Sequence, residues 1–349
     1  MVMKAIKLFL WLGLTLIGAG WPGLRAADAP IPAVETKESA ERFAVETAKY
    51  EWTDATRERQ VPVKIYYPKG AGPFPIIIFS HGLGGTSDGY AYLGQYWASN
   101  GYVSVHVQHV GSDDSVWRGY PAASRASAMN RAAQNITNAL NRPVDVIFAI
   151  DEVLKMNRGD SPLKGKLDVE KIGVAGHSFG AFTALAVAGQ VFVTPSDKEL
   201  TLSDSRVKAA IPMSAPVPKS QDKYDRAFSE IKIPCFHMTG TKDDSPIGET
   251  SAAQRRIPFD HCNGSDQFLL TFEGGDHAVF SNQRRVAERE MDARFQPLIC
   301  KSSTKFWDAY LKGDAKAKEW LTGNGFSGEL GDAGKFEKKL AGATKKVKE

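Results

Sequence analysis

Apolar residues fall into two rhythms along the chain. Short, near-continuous runs rich in Val, Ile and Phe predict strands at 61–68 (VPVKIYYP), 74–82 (FPIIIFSHG), 101–110 (GYVSVHVQHV) and 171–176 (KIGVAG). Further runs of the same kind lie at 206–213, 231–240 and 267–275. Between them the spacing turns helical. Val144, Val146, Ile147, Ile150, Val153 and Leu154 share one face over 142–157, AFTALAVAG (181–189) predicts a helix stopped by Gly189, and 299–313 predicts another stopped by Gly313. Strands that alternate with helices predict βαβ units: an α/β fold with a mostly parallel central sheet and helices on both faces. Strands apolar along their whole length suit burial on both sides. The weakly patterned stretch 111–141 predicts a partly helical excursion from the sheet that overhangs the site.

The ends of the chain read differently from its body. Lys4 and Lys7 precede an apolar stretch from Leu8 to Gly20 and a small-residue exit, the pattern of a secretory signal over 1–29. That stretch is short for a membrane span, which takes about 20 apolar residues. The expected product is exported, periplasmic or secreted, with an uncleaved N-terminal anchor as the alternative. A catalytic domain is expected over 30–312. The Gly- and Lys-rich segment 313–349 reads as a solvated tail with Trp320 and Phe326 as anchors onto the body.

With 349 residues, 42% of them hydrophobic, the chain can bury a sizeable core. Net charge is only +4, and the body lacks a stripe of basic and aromatic residues, so nucleic acid is not an expected partner. Three cysteines show no zinc-ligand spacing. Cys235 lies in an apolar run and reads as a buried small hydrophobe. Cys262 and Cys300 are candidates for a disulfide in an oxidising compartment.

Candidate chemistry gathers just after predicted strands, where an open parallel sheet carries its sites. Gly176-His177-Ser178-Phe179-Gly180 sits at a strand-to-helix corner. A plain tight turn would account for the glycines; a serine presented at the rim as nucleophile also accounts for its position. A nucleophile needs a base. Of the seven histidines, His277 alone stands on a loop just past the last predicted strand, in GGDHAVF. The base needs a carboxylate, and TGTKDDSP offers Asp243 and Asp244 after Gly240, with Asp243 favoured. An oxyanion needs two backbone N–H groups. Phe179, next to the serine, and Leu83, in the HGLGG turn after the 74–80 strand, are the candidates. Trp117, Tyr120 and Phe280 are candidates for lining a substrate pocket.

On these residues the chain, over about 60–312, resembles the α/β-hydrolase superfamily. FSHGLGG with GHSFGAF most resembles the branch of platelet-activating factor acetylhydrolases, dienelactone hydrolases and chlorophyllases. GTKDDSP and GGDHAVF look like the acid and base loops of bacterial proteins described as predicted dienelactone hydrolases. The resemblance implies a serine hydrolase acting on carboxylic esters, without metal or organic cofactor; short-acyl or lipid-like esters are the expected substrates, with polymeric esters the alternative for an exported enzyme. Two positions depart from the narrower patterns. Ser214 stands where the acetylhydrolases carry their acid, and Ser178 where dienelactone hydrolases carry cysteine. An acyltransferase or peptidase on the same residues, or a catalytically silent binding domain, are the competing readings.

Overall fold

The computed structural model describes residues 42–194, 196–281 and 290–342. The segment read as a secretory signal (1–29) lies outside the described residues. Among the described residues the strands form a nine-stranded sheet and a two-stranded hairpin.

The chain opens with a β-hairpin, β1 (Val45–Asp54) and β2 (Arg59–Pro68), then β3 (Phe74–Ser80), α1 (Ala91–Ser99) and β4 (Val103–Val107). Two helices follow, α2 (Ala122–Ala133) and α3 (Ile136–Arg158). Next come β5 (Leu167–His177), α4 (Phe179–Ala188) and the small hairpin β6 (Val191–Val193) with β7 (Glu199–Thr201). β8 (Val207–Met213), α5 (Tyr224–Phe228), β9 (Cys235–Lys242), α6 (Ile257–His261) and β10 (Gln267–Asp276) continue the alternation. α7 (Glu290–Trp307), α8 (Ala315–Thr322), α9 (Gly325–Leu330) and β11 (Gly334–Lys339) complete it.

Across the sheet the order is β1-β2-β4-β3-β5-β8-β9-β10-β11. β4, β3, β5, β8, β9 and β10 run parallel, while β1, β2 and β11 supply antiparallel edges. This is the fold class expected from the sequence. The parallel strands end at one rim, so Ser80, His177, Met213, Lys242 and Asp276 deliver their following loops to the same edge of the sheet.

Each sheet face buries its own core. Val146, Ala149, Ile150 and Val153 of α3, with Leu185 of α4 and Phe228 of α5, cover one face. Leu93 and Trp97 of α1, Phe295, Ile299, Phe306 and Trp307 of α7, and Leu321 and Phe326 of the last helices cover the other.

Four expectations change. α3 begins at Ile136 rather than at 142: the Asn135 side chain accepts from the N–H groups of Thr137 and Asn138, while Pro143 is tolerated inside the helix. β1 was not predicted; its signal is the alternation through Ala48, Tyr50 and Trp52, which face inward while Lys49 and Glu51 face out. Cys262 and Cys300 do not pair. They are free thiols in the cores on opposite faces, with the sheet between them.

The fourth change is the tail. Rather than a solvated end beyond 312, residues 315–339 pack on the body and β11 adds the last strand beside β10. The anchors explain it. Phe326 meets Phe236 and Phe336 at ring-centroid distances of 6.2 and 4.7 Å, and Phe336 stacks on Phe268 at 5.8 Å. The described lysines of this edge strand are partly tied down: Lys338 donates to the carbonyl of Gly323 and Lys339 to those of Phe259 and Asp260, while Lys335 is exposed, where charge discourages further pairing. Phe326, only 1% exposed, should therefore cost about 3–5 kcal/mol when truncated to alanine, read from urea unfolding. A loss below about 1 kcal/mol would place this segment outside the cooperative unit.

Candidate active site

The corner between β5 and α4 is forced into shape by what surrounds it. Ser178 has φ 57° and ψ −118°, a conformation that costs a non-glycine residue about 1–3 kcal/mol. Its N–H donates to Met213 O at 2.8 Å, and its carbonyl accepts from Ala181 and Phe182 at 2.9 and 3.2 Å. The flanking glycines leave room for backbone. A Cβ on Gly180 would lie 1.9 Å from Ser80 O, and one on Gly176 would lie 2.2 Å from Gly180 O. The strand-to-helix corner thus lies directly against the end of β3, with Ser178 half-buried at the rim. The N-terminus of α4 adds a partial positive charge.

His277 follows β10. Its Nδ1 lies 2.7 Å from Asp243 Oδ1, so Nδ1–H donates to the carboxylate and Nε2 is left as the free ring nitrogen. Asp243 is fully buried at the end of β9, and its Oδ2 accepts from Thr239 Oγ1 at 2.8 Å. Asp244 points elsewhere and accepts from the N–H of Ala252. Asp276, beside His277 in sequence, accepts from the N–H of Ala278. Ser178 Oγ makes no hydrogen bond among the described residues. The link between the two loops is instead the His177 ring, 4.6 Å from that of His277.

The loop after β3 is a tight turn. Gly85 N–H donates to Gly82 O at 3.1 Å, and Gly84 N–H to Ser112 O at 2.9 Å. Gly84 has φ 74°, and a Cβ there would meet the Trp117 ring at 2.8 Å. Among the described residues neither Leu83 N–H nor Phe179 N–H donates to a protein acceptor, so both remain available.

The aromatic candidates separate. Trp117 is half-buried on the turn, its Nε1 donating to Gly84 O at 2.8 Å. Tyr120 is 43% exposed on the approach to α2. Phe280 does not line an opening. It is fully buried, its ring 5.6 Å from that of His177 and 6.2 Å from that of Phe272, and forms part of the floor. Two unpredicted aromatics extend from the corner instead: Phe182 lies 5.6 Å from Phe179, and Phe192 of β6 lies 5.2 Å from Phe182. All three are half-buried.

Two buried arginines also escaped sequence reasoning. Arg255 donates from Nε to Asp243 O at 3.1 Å and from Nη1 to Ser214 O at 2.8 Å, fixing the backbone behind the His277–Asp243 pair. Nothing in AAQRRIP signals that its first arginine turns inward. Arg142 lies within the buried stripe of α3, together with Asp145. Charged residues at the spacing of Val146, Ala149 and Val153 were the available signal.

Asp145 anchors a second serine–histidine–aspartate chain. Ser80 Oγ lies 2.8 Å from His109 Nε2, and His109 Nδ1 lies 3.0 Å from Asp145 Oδ2. Burial pushes the His109 imidazole down to about 4, despite the pull of Asp145. Burial alone would raise the Asp145 carboxyl, but hydrogen bonds from His109 and Arg59 hold it at about 2. All three side chains are closed off from solvent, so no substrate reaches Ser80. His81 and His177 are likewise held neutral by burial, well below the usual histidine range.

A parallel sheet in this strand order, with a serine at the β5–α4 corner and a histidine–aspartate pair beyond β10 and β9, is the α/β-hydrolase fold. Its residues 36–204 match the Chlorophyllase family model. It is similar to a platelet-activating factor acetylhydrolase of Cavia porcellus, 29% identical over 299 residues covering 75% of this chain and 63% of the relative. The corresponding protein of Canis lupus familiaris is 28% identical, over 60% of this chain and 48% of the relative. Cutinase 1 of Thermobifida cellulosilytica is 26% identical over 126 residues, 36% of this chain and 38% of that one. The chain thus spans about half to two-thirds of the length of the acetylhydrolases it matches.

Solvent access separates the two serine chains. A fluorophosphonate should label one residue per chain, and peptide mapping should place the adduct on Ser178. An adduct on Ser80 would contradict the burial of the second chain.

Proposed function

We propose that this protein is an exported serine hydrolase that cleaves carboxylic esters through an acyl-enzyme on Ser178. The observation that carries the reading is the 2.7 Å contact between His277 Nδ1 and Asp243 Oδ1, which leaves Nε2 free beside the loop that presents Ser178. His277 Nε2 takes the Ser178 proton as Oγ attacks the ester carbonyl. Asp243 holds the ring's tautomer and stabilises the imidazolium. The N–H groups of Leu83 and Phe179 receive the oxyanion. His277 then protonates the departing alcohol. It next deprotonates water, whose attack releases the acid and restores Ser178.

The names of the relatives support ester cleavage and suggest two substrate types, a short acyl group on a lipid and a polymeric ester. The half-buried Phe179, Phe182 and Phe192 favour an apolar group next to the corner. Export rests on the N-terminal charge and apolar pattern. Among the described residues no helix is long and apolar enough to cross a membrane.

A chain-length series of p-nitrophenyl esters tests the reading. Turnover is expected, and Ser178→Ala should lower kcat by about 10⁴-fold or more. Asp243→Asn should lower it by about 10³–10⁴-fold by misplacing the tautomer. Full esterase activity in Ser178→Ala would sink the mechanism.

A further inference from the structure

Arg142 is fully buried and makes no ion pair among the described residues. Its hydrogen bonds go to neutral oxygens on three separate segments. Nη2 donates to Ser80 Oγ at 3.1 Å and to the carbonyl of His81, at the start of the turn that carries Leu83. Nη1 donates to Ser112 Oγ at 2.8 Å, and Ser112 O in turn receives Gly84 N–H at 2.9 Å. Nε donates to Thr183 Oγ1 at 3.0 Å, and that hydroxyl donates on to Phe179 O at 2.9 Å. The guanidinium also lies 4.5 Å over the Phe179 ring. One side chain therefore grips both sides of the gap between Leu83 N–H and Phe179 N–H.

Burying a cation with only neutral acceptors is costly. Burial lowers Arg142 to about 9, against the pull of Asp145. The nearby carboxylate does not neutralise it directly, because Asp145 is taken up by Arg57, Arg59 and His109. Neutral side chains would serve to brace three loops. A positive charge retained behind two free N–H groups has a further use when negative charge develops in front of them.

We propose that Arg142 is the positioning residue of the oxyanion hole: its forked donors fix Leu83 and Phe179 relative to each other, and its charge stabilises the oxyanion from behind. This rests on the reading of Ser178 as nucleophile. The role belongs to the transition state, so its loss appears in kcat and not in substrate binding.

The test uses Arg142→Gln and Arg142→Lys in the full chain, with circular dichroism and Tm as folding controls. Four quantities are read: kcat and KM on a p-nitrophenyl ester, Ki for a trifluoromethyl ketone, and Kd for an unreactive ether isostere. Attack of Ser178 Oγ on the ketone forms a hemiketal, with the serine proton passing to His277 and the ketone oxygen entering the hole. In Arg142→Gln, kcat should fall about 10²–10³-fold with KM within about threefold. The ketone Ki should rise in parallel while the ether Kd stays within about twofold. Arg142→Lys keeps the charge and should recover at least about tenfold of the loss. Should Arg142→Gln not fold, Thr183→Val cuts only the arm to Phe179, and should lower kcat and ketone affinity together by about tenfold.

A folded Arg142→Gln with kcat within threefold of the parent, or equal losses for ketone and ether, would overturn the role. For Thr183→Val, unchanged kcat would do the same. Ser178→Ala is run alongside. Turnover persisting there overturns the nucleophile reading and this role with it. Turnover abolished there but intact in Arg142→Gln overturns only the role of Arg142.

Discussion

The rest of the site depends on one close approach of backbones. The β5–α4 corner lies so near the end of β3 that Gly180 has no space for a Cβ against Ser80 O, and Gly176 none against Gly180 O. That contact sets the Ser178 dihedrals, since the chain must reverse from strand to helix without side-chain bulk on either flank. It also brings the first N–H of α4 near the turn that follows β3. The proposed nucleophile and the two proposed oxyanion donors thus come from one packing constraint, while His277 and Asp243 arrive from strands across the same rim.

Buried charge is the second organising feature. Arg142 and Asp145 sit on the inward face of α3, and Arg255 sits behind the His277–Asp243 pair. Groups of this kind are costly in a core unless every donor finds an acceptor. Arg142 donates to hydroxyls and a carbonyl of three segments, and Arg255 donates to the carbonyls of Asp243 and Ser214 with Nη2 3.4 Å from His277 Nδ1, which ties loop geometry to core packing. Ser178 and Ser80 differ in their access to solvent. Ser80–His109–Asp145 has good hydrogen-bond geometry but is sealed from solvent, and its serine is spoken for by Arg142. In that setting the three groups act as a brace.

Much of this was legible along the chain because it is local. Near-continuous apolar strands, helical spacing between them and glycines around Ser178 each follow from short-range rules. The proposal of Asp243, His277, Leu83 and Phe179 as candidates also rests on local signals, since each lies just past a strand. What escaped is long-range. β11 is a lysine-rich segment that becomes a strand only because Phe326 and Phe336 find Phe236 and Phe268. The fate of Cys262 and Cys300 depends on which sheet face each occupies. Phe280 follows His277 closely, which suggests an opening, yet a short helical turn rotates it beneath His177. Arg255 carries no local signal, and Arg142 carries only a charge out of place on an apolar stripe.

The central claim is that Ser178 carries the acyl group during turnover. Rapid acid quenching of the protein with a p-nitrophenyl ester, followed by intact mass and peptide mapping, tests it directly. The account predicts a burst of up to one nitrophenolate per chain and a single acyl group on the peptide containing Ser178. Turnover on a chain that stays unmodified at every quench time, or an acyl group on another residue, would contradict it.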